Sequence, residues 1–335
     1  MVIRYIRWKT LPRWRSFIVS RRQALRLKER LRAHTKPPRV KVVELTPKDF
    51  QSDTEIVFSL PKYGRLIAVD LVLDIKITSG SSPSQGTDWH LRALKEIEIS
   101  DAGKTYGRFH PRLMRYLTAQ FYDYDIKSIT AGAGESTEEK DLIRMEFDWT
   151  IREDSFLEQF PNEGQFGINL LDKADPALII RTTSADVTDT TIDKFKLRPV
   201  LYISMVKSPV KPELWADYKI LSFTASSTYE LDLQDNVYHL ASVLLQEDTS
   251  YAISAPSKIE LVDTEKDFTF FSLSNSVLTE LVRIWNEQDT VYNVFPFHIG
   301  YFRNVLVTKK RELLFKVTTS VSAGQIILQQ IGYKK

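Results

Sequence analysis

The stretch IAVDLVLDIKI, Ile67–Ile77, alternates and places Ile67, Val69, Leu71, Leu73, Ile75 and Ile77 on one face. A period of two belongs to a β-strand with one buried side, because successive side chains leave a pleated chain on opposite sides. Similar runs occur at Glu55–Leu60, Ala93–Ser100, Leu142–Ile151, Phe166–Leu171, Ala177–Thr182 and Phe195–Val206. After a Pro-rich link, SPVKPE at Ser208–Glu213, they resume at Thr228–Leu233, Tyr238–Gln246, Lys258–Val262 and Phe268–Leu273. They finish with Tyr301–Thr308, Leu313–Thr319 and Gln325–Ile331. Many short strands with turn-like spacers predict sandwiches or barrels, not a βαβ sheet.

Two helical patterns interrupt the strands at matching places. Leu113, Met114, Leu117 and Phe121 form one apolar stripe, and Val277, Leu278, Leu281, Ile284 and Trp285 form another. Each follows a strand–turn–strand unit, KEIEISDAGK (Lys95–Lys104) in one case and SKIELVDTEK (Ser257–Lys266) in the other. Aligned without gaps, the two units share Ile97/Ile259, Glu98/Glu260, Asp101/Asp263 and Lys104/Lys266. The common order predicts an internal duplication. The domains expected are an arm over 1–39, a first half over 40–210 and a second over 211–335, each half of ordinary domain size.

The arm is set apart by charge. Residues 1–41 hold fourteen Lys or Arg against one acid, Glu29, a net +13, while the rest carries 32 bases and 42 acids, a net −10. Ser20–His34 (SRRQALRLKERLRAH) reads as a helix with Ala24, Leu27 and Leu31 on one stripe, ended by Pro37 and Pro38. The candidate contact residues are Arg4, Arg7, Trp8, Lys9, Arg13, Trp14, Arg15, Phe17, Arg21, Arg22, Arg26, Lys28, Arg30 and Arg32. So basic a segment suits a polyanion. Trp8 and Trp14 among cations fit a membrane–water interface and equally allow stacking on bases. Contact with protein alone is the third possibility.

No chemistry of an enzyme emerges. AGKT at Ala102–Thr105 lacks the first Gly of a phosphate-binding loop, Glu98 standing there, and its Lys and Thr run into a strand. Asp101–Lys104 therefore reads as a hairpin turn, and AGAGES (Ala131–Ser136) as a surface loop. His34, His90, His110, His239 and His298 form no metal-binding pair, and neutral hydrogen-bonded or surface roles are expected. The carboxylate pairs Asp123/Asp125, Asp186/Asp189 and Glu138/Glu139 lie in polar, loop-like context. Trp149, Trp215 and Trp285 are expected in the core. With no cysteine, disulfides and thiolate metal sites are excluded. No apolar run approaches the roughly 20 residues of a membrane-spanning helix, and the N-terminus lacks the apolar core of a signal peptide. Neither a catalytic site, a cofactor nor a metal is expected.

The layout, and strings such as LKEIEISDAGK (Leu94–Lys104) followed by FHPRLMRYLTAQF (Phe109–Phe121), resemble the double jelly-roll major capsid proteins of tailless icosahedral viruses. That lineage includes tectiviruses, the adenovirus hexon and archaeal viruses with internal membranes. The resemblance covers about Val40 to Lys335 and implies an all-β fold of two tandem jelly rolls, each with a short inserted helix. It also implies homotrimers with a pseudo-hexagonal outline, neighbouring capsomers and minor capsid proteins as partners, no small-molecule substrate, and a place in the virion shell after assembly in the host cytoplasm. The basic arm would lie on the inner side against a membrane, or against the genome. The competing classes are a carbohydrate-binding or glycan-processing tandem jelly roll and a β-rich nucleic-acid-binding protein.

Overall fold

A computed structural model describes residues 40–122, 125–147, 167–205, 214–286, 292–297, 305–307 and 312–334. The arm, with its expected helix and every candidate contact residue, lies outside these, as do the link Ser208–Glu213, Trp149 and His298. Residues 39–335 form one compact unit.

Eight principal strands precede the link: β1 (Val40–Glu44), β2 (Glu55–Ser59), β3 (Arg65–Gln85), β4 (Leu94–Asp101), β5 (Lys104–Phe109), β6 (Ser136–Glu146), β7 (Pro176–Thr182) and β8 (Val187–Ser204). Eight more follow it: β9 (Leu214–Phe223), β10 (Thr228–Asp232), β11 (Val237–Asp248), β12 (Lys258–Asp263), β13 (Phe268–Ser274), β14 (Val294–Phe297), β15 (Leu313–Thr318) and β16 (Gly324–Lys334). Helix α1 (Trp89–Arg92) joins β3 to β4, α2 (Pro111–Tyr122) follows β5, and α3 (Asn275–Asn286) follows β13.

The first set pairs in the orders β1-β8-β3-β6 and β2-β7-β4-β5, and the second in the orders β9-β16-β11-β14 and β10-β15-β12-β13. Adding eight to each number converts one half into the other. Two four-stranded antiparallel sheets connected in this order make a jelly roll, so the chain contains two. They join edge to edge. A single parallel bridge, Gly107 to Ala216, links β5 to β9 and fuses one sheet of each roll into a continuous ten-stranded sheet. Both residues are small because the seam is tight: a Cβ on Gly107 would lie 2.8 Å from the Phe109 ring and 3.5 Å from the Ala216 methyl.

The halves also share irregularities. In β4 and β5 the partners Ile97–Phe109, Glu98–Arg108 and Ile99–Gly107 are followed by a bulge at Tyr106 and then Ser100–Thr105. In β12 and β13 the partners Ile259–Leu273, Glu260–Ser272 and Leu261–Phe271 are followed by a bulge at Phe270 and then Val262–Thr269. A second bulge, Ile67 in β3 and Leu240 in β11, precedes Ala68 and Ala241. Bulges are positional features tied to a given backbone, so their coincidence supports the duplication more strongly than the identities do. Three of the four identities fall at equivalent positions. Lys104 and Lys266 do not, because Asp101–Lys104 is a two-residue turn whereas Asp263 and Phe268 are separated by four residues; the counterpart of Lys104 is Phe268. Ala102 (φ 46°) and Gly103 (φ 84°) have the paired positive φ of a type I′ hairpin.

Burial follows the alternation, with one correction. Val69, Leu71, Leu73, Ile75 and Ile77 are fully buried, but the bulge removes Ile67 from that face and Leu66 takes its place. Both helices run twelve residues. β9, β14 and the short α1 escape the sequence reading, and β6 is read with a later start. β9 lacks alternation, being enclosed on both sides near its start, and β6 begins six residues early because STEEKD is polar. Trp215 is buried as expected.

Candidate functional site

The most chemically distinctive region is the seam between the rolls, built around α2. The start of that helix is fixed by His110, whose Nδ1 accepts the Leu113 N–H at 3.3 Å, and by Pro111 at the first helical position, where no donor is needed. One face then buries Leu113, Met114 and Leu117 in the first roll. The same apolar cluster takes in Ala241, Val243 and Leu245 of β11, Val294 of β14, and Ile327 and Ile331 of β16. The inner strands of the second roll are thus covered twice, since Leu244, Phe295, Ile326 and Leu328 face that roll's own core with Phe315.

Two arginines of α2 are fully enclosed. Arg112 donates to Asp88 at 3.0 Å, to Glu247 and to the Tyr251 carbonyl; it and Glu247 are each 2% exposed. Asp88 belongs to the first roll and Glu247 to β11, so this guanidinium joins the rolls. Tyr116 also donates to Asp88, at 2.8 Å. Arg115 points the other way and donates to Asp141 of β6 at 2.6 Å, both groups being 0% exposed. His90 Nε2 donates to the other Asp141 oxygen at 3.1 Å. Gln329 spans the seam too, accepting from the His110 N–H and donating to the Arg108 and Asp217 carbonyls. Near the parallel bridge, Arg108 pairs with Asp217 at 2.8 Å and Tyr218 donates to Glu96 at 3.0 Å.

An open groove of ≈ 610 Å³ lies on the outer side of β4, β5 and β7, lined by Lys95, Glu96, Glu98, Arg108 and Arg181 among others. Arg181 binds Glu55, Glu96 and Glu98 together. Burial pushes the Glu98 carboxyl up, but the Thr105 hydroxyl and Arg181 outweigh it and hold it below its ordinary value. It is an anchored carboxylate and is poorly suited to act as a general acid at neutral pH. Among the described residues no group of three or more His, Cys, Asp or Glu could hold a metal ion, and no helix is long and apolar enough to cross a membrane.

The neutral roles expected of the histidines are met at two positions. Burial holds His239 down at about 4, with Lys219 adding to the effect against the Gln234 carbonyl that accepts from its Nε2. Burial and then Arg112 hold His110 down at about 3, although its ring keeps partial contact with solvent, which discounts its share. In both, the unfolded chain binds a proton near pH 6.5 that the folded chain refuses, so stability is complete above that value and falls as the pH drops toward the folded pKa. For His239 the loss between pH 8 and pH 5 comes to about 2 kcal/mol. Urea midpoints at the two pH values should show it, and His239→Gln should remove most of that difference; an unchanged pH dependence in the variant would exclude His239 as its source.

Sequence reasoning singled out none of Asp88, Arg112, Arg115, Asp141 and Glu247. The available signal was a pair of arginines three apart, flanking the apolar stripe of α2. Of the carboxylates it did single out, Asp123 lies outside the described residues, Asp186 pairs with Arg92, Glu138 with Lys194, and Asp189 accepts the Ser82 N–H.

No family model and no curated protein matches the sequence. Solved structures do match. The crystal structure of the STIV major capsid protein superimposes with a TM-score of 0.71 at 10% identity, over 88% of this chain and 96% of that one. The major capsid protein of Bacteriophage PM2 gives 0.57 at 10% identity, over 88% and 98%. The PBCV-1 virus capsid gives 0.55 at 9% identity, over 88% and 93%. By fold, the chain is an all-β double jelly roll of the kind found in these viral major capsid proteins.

Proposed function

We propose that the chain is the major capsid protein of an icosahedral virus, with domains over 40–210 and 211–335 and an assembly role that requires no catalytic centre. The observation that carries this reading is the fold shared with the STIV protein along nearly the whole length of both chains. A shell protein must present a rigid block to its neighbours, and the buried seam makes the two rolls one block. The purified chain should sediment as a homotrimer or larger assembly and form pseudo-hexagonal particles in electron micrographs. A monomer at every concentration would sink the proposal.

The parallel bridge and the common strand order set the two rolls side by side with the same end up. Antiparallel pairing carries the strand directions through each roll, so Val40 and the turns at Asp101–Lys104 and 264–267 share one end, and α2 and α3 share the other. The arm joins the body at the first of these ends, which we assign to the inside of the shell, where a membrane lies beneath it. Minor capsid proteins would be further partners there. The net +13 of residues 1–41 supplies attraction to anionic lipid, and Trp8, Trp14 and Phe17 supply apolar burial. The two contributions differ in salt response: charge pairing is screened by several hundred millimolar salt, ring insertion is not. Full-length protein should float with anionic liposomes and retain some binding at high salt, while a chain starting at Val40 should not float. Equal flotation of the two would overturn the assignment. Binding that disappears with salt and ignores Trp8→Ala with Trp14→Ala would favour the genome as the polyanion.

A further inference from the structure

The two rolls share one backbone plan, yet at three matching positions in their interiors the side chains differ in kind. In the first roll Val69 pairs with Leu201 and Leu66 with Ile203; in the second Ser242 pairs with Gln330 and His239 with Gly332. Leu66, Val69 and Leu201 are therefore the counterparts of His239, Ser242 and Gln330. All six are 0% or 1% exposed. The first set is apolar and belongs to its roll's core. The second set looks into the other roll, since Leu244 and Leu328, two residues away from Ser242 and Gln330 on the same strand faces, line that core.

Each polar member has one buried atom without a hydrogen-bond partner: His239 Nδ1, Ser242 Oγ and Gln330 Nε2. The three gather beside one turn. Gln330 Oε1 accepts the Gln234 N–H at 2.8 Å, and His239 Nε2 donates to the Gln234 carbonyl at 2.8 Å. These bonds settle what the remaining atoms offer. Gln330 presents amide N–H, and the imidazole, kept neutral by burial and carrying its proton on Nε2, presents a lone pair on Nδ1. The Trp215 ring stands edge-on to the imidazole at 6.0 Å. Orphaned polar groups inside a core cost stability, and the first roll shows that the same backbone positions accept Leu, Val and Leu.

We propose that His239, Ser242 and Gln330 form a binding site for an internal water molecule in the second roll. The water donates to His239 Nδ1, accepts from Gln330 Nε2 and shares a hydrogen bond with the Ser242 hydroxyl, about the number of bonds a buried water makes. The same atoms select against other occupants. Amide N–H aimed at the site repels a cation, and the imidazole lone pair repels an anion. What fits is small, neutral and able both to donate and to accept. Ser242, smaller than Val69, supplies the room. At these matching positions the first roll is packed dry, and the second closes around solvent near the start of β11.

Ser242→Val, which writes the first roll's residue into the second, separates a wet site from a dry one by the sign of its effect. In a wet site the valine takes the water's place and strands His239 Nδ1 and Gln330 Nε2, so the full-length protein should melt about 4 °C lower. Ser242→Ala leaves space for the water and should melt closer to wild type. In a dry site both changes replace an unpaired hydroxyl by hydrocarbon and raise the melting temperature, valine more than alanine through better packing. A Ser242→Val protein that melts at or above the wild-type temperature would therefore overturn the proposal. Should that variant fail to fold, the wild type still decides. A high-resolution crystallographic map should show a solvent peak within about 2.7–3.2 Å of all three atoms, and three side chains packed together with no peak between them would equally overturn it.

Discussion

Replacing Arg112 by alanine is expected to destabilise the protein by about 3–5 kcal/mol, the range for removing one partner of a buried ion pair. The cost arises from what remains more than from what is lost. Glu247, 2% exposed, and Asp88, 10% exposed on its side chain, would face each other without a cation, and the Tyr251 carbonyl would lose its donor. Because Asp88 and Glu247 come from different rolls, the change should also uncouple them. Urea unfolding, expected to be a single cooperative transition in the wild type, should broaden or split in the variant, with hydrogen exchange in β9, β11 and β16 rising before that in β3 and β8. A loss below 1 kcal/mol with a single sharp transition would show that this guanidinium does not hold the rolls together.

Arg115→Ala should cost a similar amount by the same mechanism, with a different signature. Asp141 would lie fully buried with only His90 as a donor. All three residues belong to the first roll, so its own stability should fall while its coupling to the second is spared, and the transition should stay single. The double replacement Arg115→Met with Asp141→Leu removes both charges and restores packing volume. Exchanging a buried pair for apolar groups is often neutral or better, so this variant should recover most of the loss. If it is as unstable as Arg115→Ala alone, the damage comes from packing around α2 and the ion pair is not its cause.

The strands, both helices and the repeat were legible in the sequence because each is a local signal. Ile67–Ile77 shows its period within eleven residues, and a helix stripe within two or three turns. The misplacements are equally physical. Ile67 leaves the core through a bulge that depends on its partner strand β8, and Lys104 is displaced from Lys266 by a difference in turn length that a gapless alignment cannot see. β9 stayed hidden because it is covered by both rolls near its start, and alternation marks only strands with one wet side.

The sequence by itself determined the fold class, the duplication, the position of the two helices and the division of charge between arm and body, all of which follow from periodicity and composition. The tertiary structure alone decided which charges are buried and with whom. Arg112 meets Glu247 across 135 residues and Arg115 meets Asp141 across 26, and neither pairing has a local signature. It also decided which copy of each repeated edge is covered: Ala216 of β9 lies beside Gly107 of β5 and is 2% exposed, while Val42, which holds the same place in β1, is 57% exposed among the described residues.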